Sequence, residues 1–276
     1  MRMLKNRNGF TLVELLIVVV LGGLILAATF RVLVSNQQIY TAQSATVMGQ
    51  QTVRGAVELL TSEIREMSTA SDPFLGSDLI VMESDRIQMR VMRKVAVVCG
   101  VEDTDPLLVR AAIMGLDFAE GDSVLVHADG SEDASEHFWS KGEVISTPAT
   151  GTPANCGGEP SLRLRIDGMI PGITSANQVA SGSLVRSFQT VEYRAVALDG
   201  DIYLGRGLDG EPEPVIGPIA ANDGLRFDYL DANGDPTTTP ADVRTIQVTV
   251  RTVSRARGAR GELIADSLSV FVNPRN

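Results

Sequence analysis

A single carboxylate stands at the head of a long apolar run near the start of the chain. The hexapeptide Gly9-Phe10-Thr11-Leu12-Val13-Glu14 continues directly into Leu15-Leu16-Ile17-Val18-Val19-Val20-Leu21, after a short leader with three basic residues. A carboxylate placed in hydrocarbon costs roughly 2.5–3.5 kcal/mol even on the lenient insertion scale. Glu14 is therefore predicted to have a functional partner, and the obvious partner is a positive charge.

This hexapeptide closely resembles the class III signal of type IV prepilins and type II secretion pseudopilins, the type IV pilin-like superfamily. The resemblance implies that prepilin peptidase cuts after Gly9 and that Phe10 becomes the N-methylated amino terminus. It also implies that Glu14 meets the terminal amine of a neighbouring subunit during assembly. A carboxylate and an ammonium, each costly alone in lipid, lose much of that penalty when they are paired.

The alternative is an ordinary signal anchor or a cleaved secretory signal. A secretory signal needs a small-residue cleavage site after its apolar core, and none is evident before Arg31. Residues 10–34 are long and apolar enough to cross a bilayer as a helix. Basic residues precede this run and only Arg31 follows closely, which predicts a single pass with the leader in the cytoplasm and the body outside.

The pattern divides the chain into four segments. Residues 1–9 form the leader, 10–34 the membrane-spanning or filament-core helix, 35–70 an amphipathic spine helix and 71–276 a β-rich globular domain. In the spine, apolar residues recur at alternating spacings of four and three and draw one stripe: Val53, Val57, Leu60, Ile64 and Met67. The helix is predicted to continue to about Ser68, since Pro73 disfavours helical conformation in the residue before it.

Short β-rich runs follow, separated by glycine, aspartate and proline. Predicted strands cover residues 79–82, 86–91, 95–98, 123–127, 142–145, 162–166, 184–197, 202–206, 225–230, 245–253 and 267–272. Asp199-Gly200 and Asn233-Gly234 are strong signals for tight turns. The predicted fold class is α+β, with the long N-terminal helix packed on an antiparallel β-rich domain.

The two cysteines, Cys99 and Cys156, lie in the segment expected outside the cytoplasm. An oxidising compartment would permit one disulfide between them, contributing about 2–4 kcal/mol. The alternative is two separate thiols. His127 and His137 lie in an acidic stretch that is interpreted as a solvated loop, and they show none of the paired spacings typical of metal ligands. No bound metal or other cofactor is therefore predicted.

One turn has a faint likeness to a calcium loop, because oxygen ligands gather around a glycine. The residues concerned are Asp228, Asp231, Asn233 and Asp235. This turn lacks the downstream glutamate that an EF-hand requires, so a simple hairpin turn is the preferred interpretation and calcium the alternative.

Composition excludes some function classes. The net charge of −10 and the absence of a basic stripe with interleaved aromatic residues argue against nucleic acid as a partner. The sequence contains no nucleophile elbow, no His-Glu-x-x-His zinc motif and no phosphate-binding glycine-rich loop. The chain is therefore predicted not to be an enzyme.

Within the superfamily, the large body resembles PilW-type minor pilins, loosely so over residues 225–250 and 268–272. That resemblance implies a structural subunit in pilus assembly or initiation at a tip complex, with prepilin peptidase, other pilins and the inner membrane as partners. The body would lie in the periplasm before incorporation into a pilus or pseudopilus, with display at the cell surface a further expectation. GspJ-type pseudopilins of type II secretion and a displayed adhesin are the alternatives.

Overall fold

The computed structural model describes residues 11–129, 137–148, 155–156, 159–258 and 261–275. Within them, one helix, α1 (Leu12–Ile64), precedes a series of strands. The strands are β1 (Leu79–Met82), β2 (Arg86–Thr104), β3 (Leu107–Met114), β4 (Ser123–Asp129), β5 (His137–Ser146), β6 (Asn155–Cys156), β7 (Glu159–Pro160), β8 (Leu162–Ile170), β9 (Leu184–Leu198), β10 (Asp201–Leu208), β11 (Glu213–Ile219), β12 (Leu225–Leu230), β13 (Thr245–Arg257) and β14 (Leu263–Val272).

Contacts along the chain define two compact units. The first comprises residues 1–50 and 253–266, and the second comprises residues 51–252 and 267–276. Both hydrophobic cores described below lie in the second unit.

Helix α1 is 53 residues long and therefore about 80 Å in length. It runs through Gly22 and Gly23 without interruption. It ends at Ile64, before the predicted end near Ser68, because the next backbone groups form hydrogen bonds with distant residues instead of within the helix. Arg275 N–H donates to the Met67 carbonyl at 3.0 Å, and Ser68 N–H donates to Asp78 Oδ2 at 3.1 Å.

The predicted stripe on the second part of the helix is confirmed. The side chains of Val53, Val57, Leu60, Ile64 and Met67 are all 5% exposed or less. They pack in one core with residues of β1, β2, β9 and the β12–β13 hairpin. The α+β class, with a long helix packed on an antiparallel sheet, is therefore confirmed.

The large sheet has nine strands in the order β1-β2-β3-β8-β5-β4-β9-β10-β11, and β2 pairs with β9 as well. This extra pairing closes six strands, β2, β3, β8, β5, β4 and β9, into a ring of antiparallel neighbours. A second hydrophobic core fills the ring, with Val98, Val109, Val126, Leu164 and Ile166 among its fully buried members.

Strands β2 and β9 take part in both cores because they are unusually long, at 19 and 15 residues. Met89 of β2 and Val191 of β9 are paired and face the helix core. Further along the same pair, Ala96 of β2 and Val185 of β9 are again paired but face the ring core. A register shift between Met92 and Lys94 separates the two regions.

The two edges of the nine-stranded sheet are short or irregular. Strand β1 has four residues and a register shift against β2. Strand β11 contains Pro214 and Pro218 and shows two register shifts against β10. Because proline donates no backbone hydrogen bond, it is found at edges and not in central strands.

The sequence predicted most strands but not their extent. The runs 86–91 and 95–98 belong to one strand, β2, and β3 and β11 were not predicted. Asp199-Gly200 forms the predicted turn, with positive φ at both residues. Asn233-Gly234 also forms a turn, with positive φ at Gly234, and the chain returns beyond it as an isolated bridge between Leu230 and Pro236, while β13 begins only at Thr245.

Candidate functional site at the head of the helix

The predicted processing residues Gly9 and Phe10 lie outside the described part of the chain, and the description begins at Thr11. Glu14 lies in the first turn of α1 and its side chain is exposed. Its backbone N–H donates to Thr11 Oγ1 at 3.3 Å, so Thr11 caps the helix. A carboxylate in the first turn also interacts favourably with the helix dipole, which gives Glu14 a local role besides the predicted pairing.

The apolar side chains on both sides of Glu14 are exposed in the isolated chain. Leu12 is 81% exposed, Ile25 66% and Phe30 66%. Helix α1 is long and apolar enough to cross a membrane by length and composition. A continuous apolar surface on a helix needs lipid or other helices to cover it, and it therefore suits membrane anchoring.

Thr29 Oγ1 donates to the Ile25 carbonyl at 2.8 Å, so this hydroxyl is satisfied inside the apolar segment. Gly22 and Gly23 leave open space where a Cβ would stand, with nothing within 4 Å. Small residues on an apolar helix allow close approach of a second helix. The first part of α1 thus presents the Glu14 carboxylate, the N-cap Thr11 and an apolar surface with small residues at Gly22 and Gly23.

Cys99 and Cys156 form a disulfide across 57 residues of sequence, with their Cα atoms 5.5 Å apart. Cys99 lies in β2 and Cys156 in β6, so the bond fastens the short β6–β7 hairpin to a long strand of the ring. A covalent link across this many residues restricts the unfolded chain more than the folded one.

Replacing Cys99 by Ser should lower the free energy of unfolding by about 2–4 kcal/mol, because the unfolded chain regains the freedom that the disulfide removes. Urea unfolding of the full chain in detergent, with and without reductant, measures this change. Reductant should lower the wild-type midpoint to that of the variant and leave the variant unaffected. A wild-type protein that is indifferent to full reduction would contradict the prediction.

Three of the four candidate calcium ligands, Asp231, Asn233 and Asp235, lie in one turn. Asp231 Oδ1 accepts hydrogen bonds from the N–H groups of Asn233 at 2.8 Å and Asp235 at 2.9 Å. These backbone donors hold the pKa of Asp231 below its usual range. Asp228 lies on β12 and pairs with Arg226 at 2.7 Å. Both carboxylates thus have partners within the chain, and calcium at this turn stays an untested alternative to the predicted simple turn.

The acidic stretch that was interpreted as a loop is largely a hairpin. Strands β4 and β5 pair so that His127 lies opposite Trp139, and Asp129 lies opposite His137. The stretch between these strands, with Glu132, Asp133 and Glu136, lies outside the described residues. Burial lowers the pKa of His127, and the negative charge of the neighbouring Asp129 offsets part of that decrease.

The sequence alone does not reveal this juxtaposition, because the usual spacings of metal ligands are those of loops and helices. The signal was present as His127-x-Asp129, since residues two apart on a strand share a face. The partner His137 became visible only once the register of the hairpin was known.

Comparison with known proteins gives a match at the head of the chain. No curated protein and no solved structure matches the sequence. Residues 4–30 match the family described as the prokaryotic N-terminal methylation motif. The matched residues include Gly9, Phe10, Glu14 and the apolar first part of α1. Proteins with this motif are structural and not enzymes. The match supports a class III signal of the type IV pilin or pseudopilin kind, with processing by prepilin peptidase, membrane anchoring and assembly with other pilins.

Proposed function

We propose that this chain is a minor pilin-like subunit of a type IV pilus that acts structurally in assembly or initiation at the tip complex. The observation that carries the proposal is the methylation motif at residues 4–30, which heads an exposed apolar helix. That same helix continues without a break into the packed spine of a large β-rich body. The resemblance to PilW-type minor pilins, given by body size and by the strands of the last part of the chain, supports the minor role.

The chemistry of the head suits assembly from the membrane. After cleavage, Phe10 would supply an amine, and Glu14 would supply its counter-charge in a neighbouring subunit. Pairing of these two groups fixes one axial offset between adjacent helices, because an unpaired charge in an apolar environment is costly. The exposed apolar side chains between Leu12 and Phe30 would exchange lipid for the helices of other subunits.

The body would lie in the periplasm before assembly. The net charge of −10 favours partner surfaces that present basic groups, such as other minor pilins or an adhesin. A GspJ-type pseudopilin of type II secretion carries the same kind of signal and is the alternative. Deletion of the gene distinguishes the two, because loss of pili supports the minor pilin and loss of secretion supports the pseudopilin.

Processing tests the proposal directly. We expect co-expression with a prepilin peptidase to convert the full chain into a product that begins at methylated Phe10, measured by intact mass and N-terminal sequencing. Gly9→Val should abolish this product because the resemblance places the scissile bond after Gly9. Gly23→Val is the matched control, since a side chain there meets nothing within 4 Å, and it should be processed normally.

A Glu14→Leu variant separates processing from assembly. It should be cleaved like the wild type but fail to enter filaments, because the neighbouring amine then lacks its counter-charge. A chain that stays unprocessed, or one that is cut beyond Arg31, would overturn the proposed pathway. Normal filament entry of Glu14→Leu would leave the pathway intact and remove the assigned role of Glu14.

A further inference from the structure

The β4–β5 hairpin places three metal-ligating side chains on one face. His127 and Asp129 are two residues apart on β4, and His137 is the register partner of Asp129 on β5. Alternate residues of a strand point to the same side, and directly opposed residues of antiparallel strands share a side as well. His127, Asp129 and His137 therefore converge from two rigid strands.

The distances between their ligand atoms are short. One ligand atom from each of the three side chains can be chosen so that all three lie within 4.8 Å of one another. His137 Nδ1 lies 2.6 Å from Asp129 Oδ1. The rings of His127 and His137 are stacked, with centroids 5.3 Å apart and planes inclined by 28°. A shared metal could therefore be reached by small rotations of the side chains.

Two imidazole nitrogens and one carboxylate oxygen form a donor set that suits Zn²⁺ better than Ca²⁺ or Mg²⁺, which prefer oxygen ligands alone. Zinc bonds to such atoms are about 2.0–2.2 Å long, so tetrahedral ligand atoms are about 3.3 Å apart. The ion would replace the direct hydrogen bond between Asp129 and His137, and their 2.6 Å separation would widen.

The surroundings leave room for the ion and for water. A cavity of about 290 Å³ borders both histidines and extends toward Asp72 and Asp78. Two arginines also line this cavity; both contact the carboxylate of Asp78, and Asp72 in the same lining supplies a second negative charge. Arg90 Nε lies 3.2 Å from Asp78 Oδ1, and Arg186 Nη2 lies 3.5 Å from Asp78 Oδ2.

We infer that His127, Asp129 and His137 bind one Zn²⁺ ion at the end of the β4–β5 hairpin, with water completing the coordination. Three protein ligands and an open position are the arrangement of an accessible zinc site. Since one ligand pair comes from β4 and the third ligand from β5, the ion would join the two strands at the end of their pairing.

The single tryptophan of the chain provides a local readout. Trp139 lies opposite His127, with ring centroids 5.2 Å apart, and the guanidinium carbon of Arg186 lies over the Trp139 ring, 4.3 Å from its centroid. Zinc at the proposed site would change the surroundings of this indole. Binding elsewhere on the chain, for example at Glu14, would leave its emission unaltered.

The test uses the full chain in detergent, without a polyhistidine tag and after removal of metals by a chelator. Zn²⁺ is titrated by calorimetry and by Trp139 fluorescence. We expect saturable binding of one ion per chain together with a change in emission, and no competition from Mg²⁺. The variants His127→Gln, Asp129→Asn and His137→Gln should each weaken binding by at least about tenfold, the loss that removal of an outer-shell partner alone can cause.

Asp117→Asn is the matched control, because it neutralises an exposed carboxylate outside the cluster and should leave affinity unchanged. Absence of saturable binding to the wild type would overturn the inference. Stoichiometric binding without a change in Trp139 emission, or binding that survives all three ligand substitutions, would overturn it as well. The wild-type fluorescence result decides the matter even where a variant fails to fold.

Discussion

Replacing Glu63 by Ala should destabilise the body by about 3 kcal/mol, because it leaves two arginines in the core without their counter-charge. Glu63 is 5% exposed and lies on the buried face of α1. Arg93 Nη2 donates to its two carboxylate oxygens at 3.0 and 2.8 Å, and Arg206 Nη2 donates to Oε1 at 2.7 Å. The arginine side chains keep about a quarter of their surface in contact with water, which holds the cost at the lower end of the range for broken buried pairs.

The network extends to Tyr193, whose hydroxyl accepts a hydrogen bond from Arg206 Nε at 3.0 Å. Burial, together with the negative charge of Glu63, raises the pKa of Tyr193 above its usual range. One carboxylate on the helix therefore organises charged and polar groups from β2, β9 and β10. Loss of that carboxylate removes the hydrogen-bonded link of the helix end to β2 and β10, while the apolar contacts of the stripe remain.

Thermal unfolding in detergent measures the effect, and the midpoint should fall by about 6–12 °C for a domain of this size. Glu58→Ala is the matched control, since Glu58 is an exposed glutamate on the same helix and should cost no more than about 0.5 kcal/mol. Glu63→Gln keeps the shape and one acceptor and should fall between the two. Equal midpoints for Glu63→Ala and Glu58→Ala would contradict the role of the network.

Replacing Phe227 by Ala should lower the free energy of unfolding by about 3–5 kcal/mol, since it removes a large buried ring and leaves a cavity. Phe227 is 1% exposed and lies on β12, the first strand of the three-stranded sheet β12-β13-β14. It belongs to the same hydrophobic core as Leu60 of the helix and Met89 of the large sheet. Its loss would therefore weaken a core that is shared by the helix and both sheets.

Urea unfolding of the full chain gives this free energy. Phe271→Ala provides the matched comparison, because Phe271 lies on β14 and is 64% exposed. It should change stability by no more than about 0.5 kcal/mol. The prediction fails if both substitutions shift the midpoint by the same amount.

Features set by local pattern were predicted from the sequence. The class III signal depends on a few adjacent residues, and the buried stripe on α1 depends only on helical periodicity. Glu63 was missed on that stripe because a charged residue is expected at the surface unless its partners are known. Those partners, Arg93 and Arg206, lie in distant strands and give no local signal.

The ring of six strands could not be predicted for a similar reason. Its closure depends on β2 being long enough to pair with β3 and β9, and the sequence pattern instead suggested two short strands. The convergence of His127, Asp129 and His137 likewise depends on the register of β4 against β5. Register is fixed by the buried face of each strand, so it follows from the core and not from ligand spacing.

The irregular edges of the nine-stranded sheet affect whether copies of this chain can associate through their sheets when they are crowded together. An exposed regular edge would accept a strand from any neighbouring copy and could seed amyloid-like aggregates. Strand β1 has only four residues, and β11 has two prolines and two register shifts, so neither edge offers such a template. The nine-stranded sheet therefore offers no regular edge to a strand of another copy, so crowding of the protein does not favour growth through this sheet.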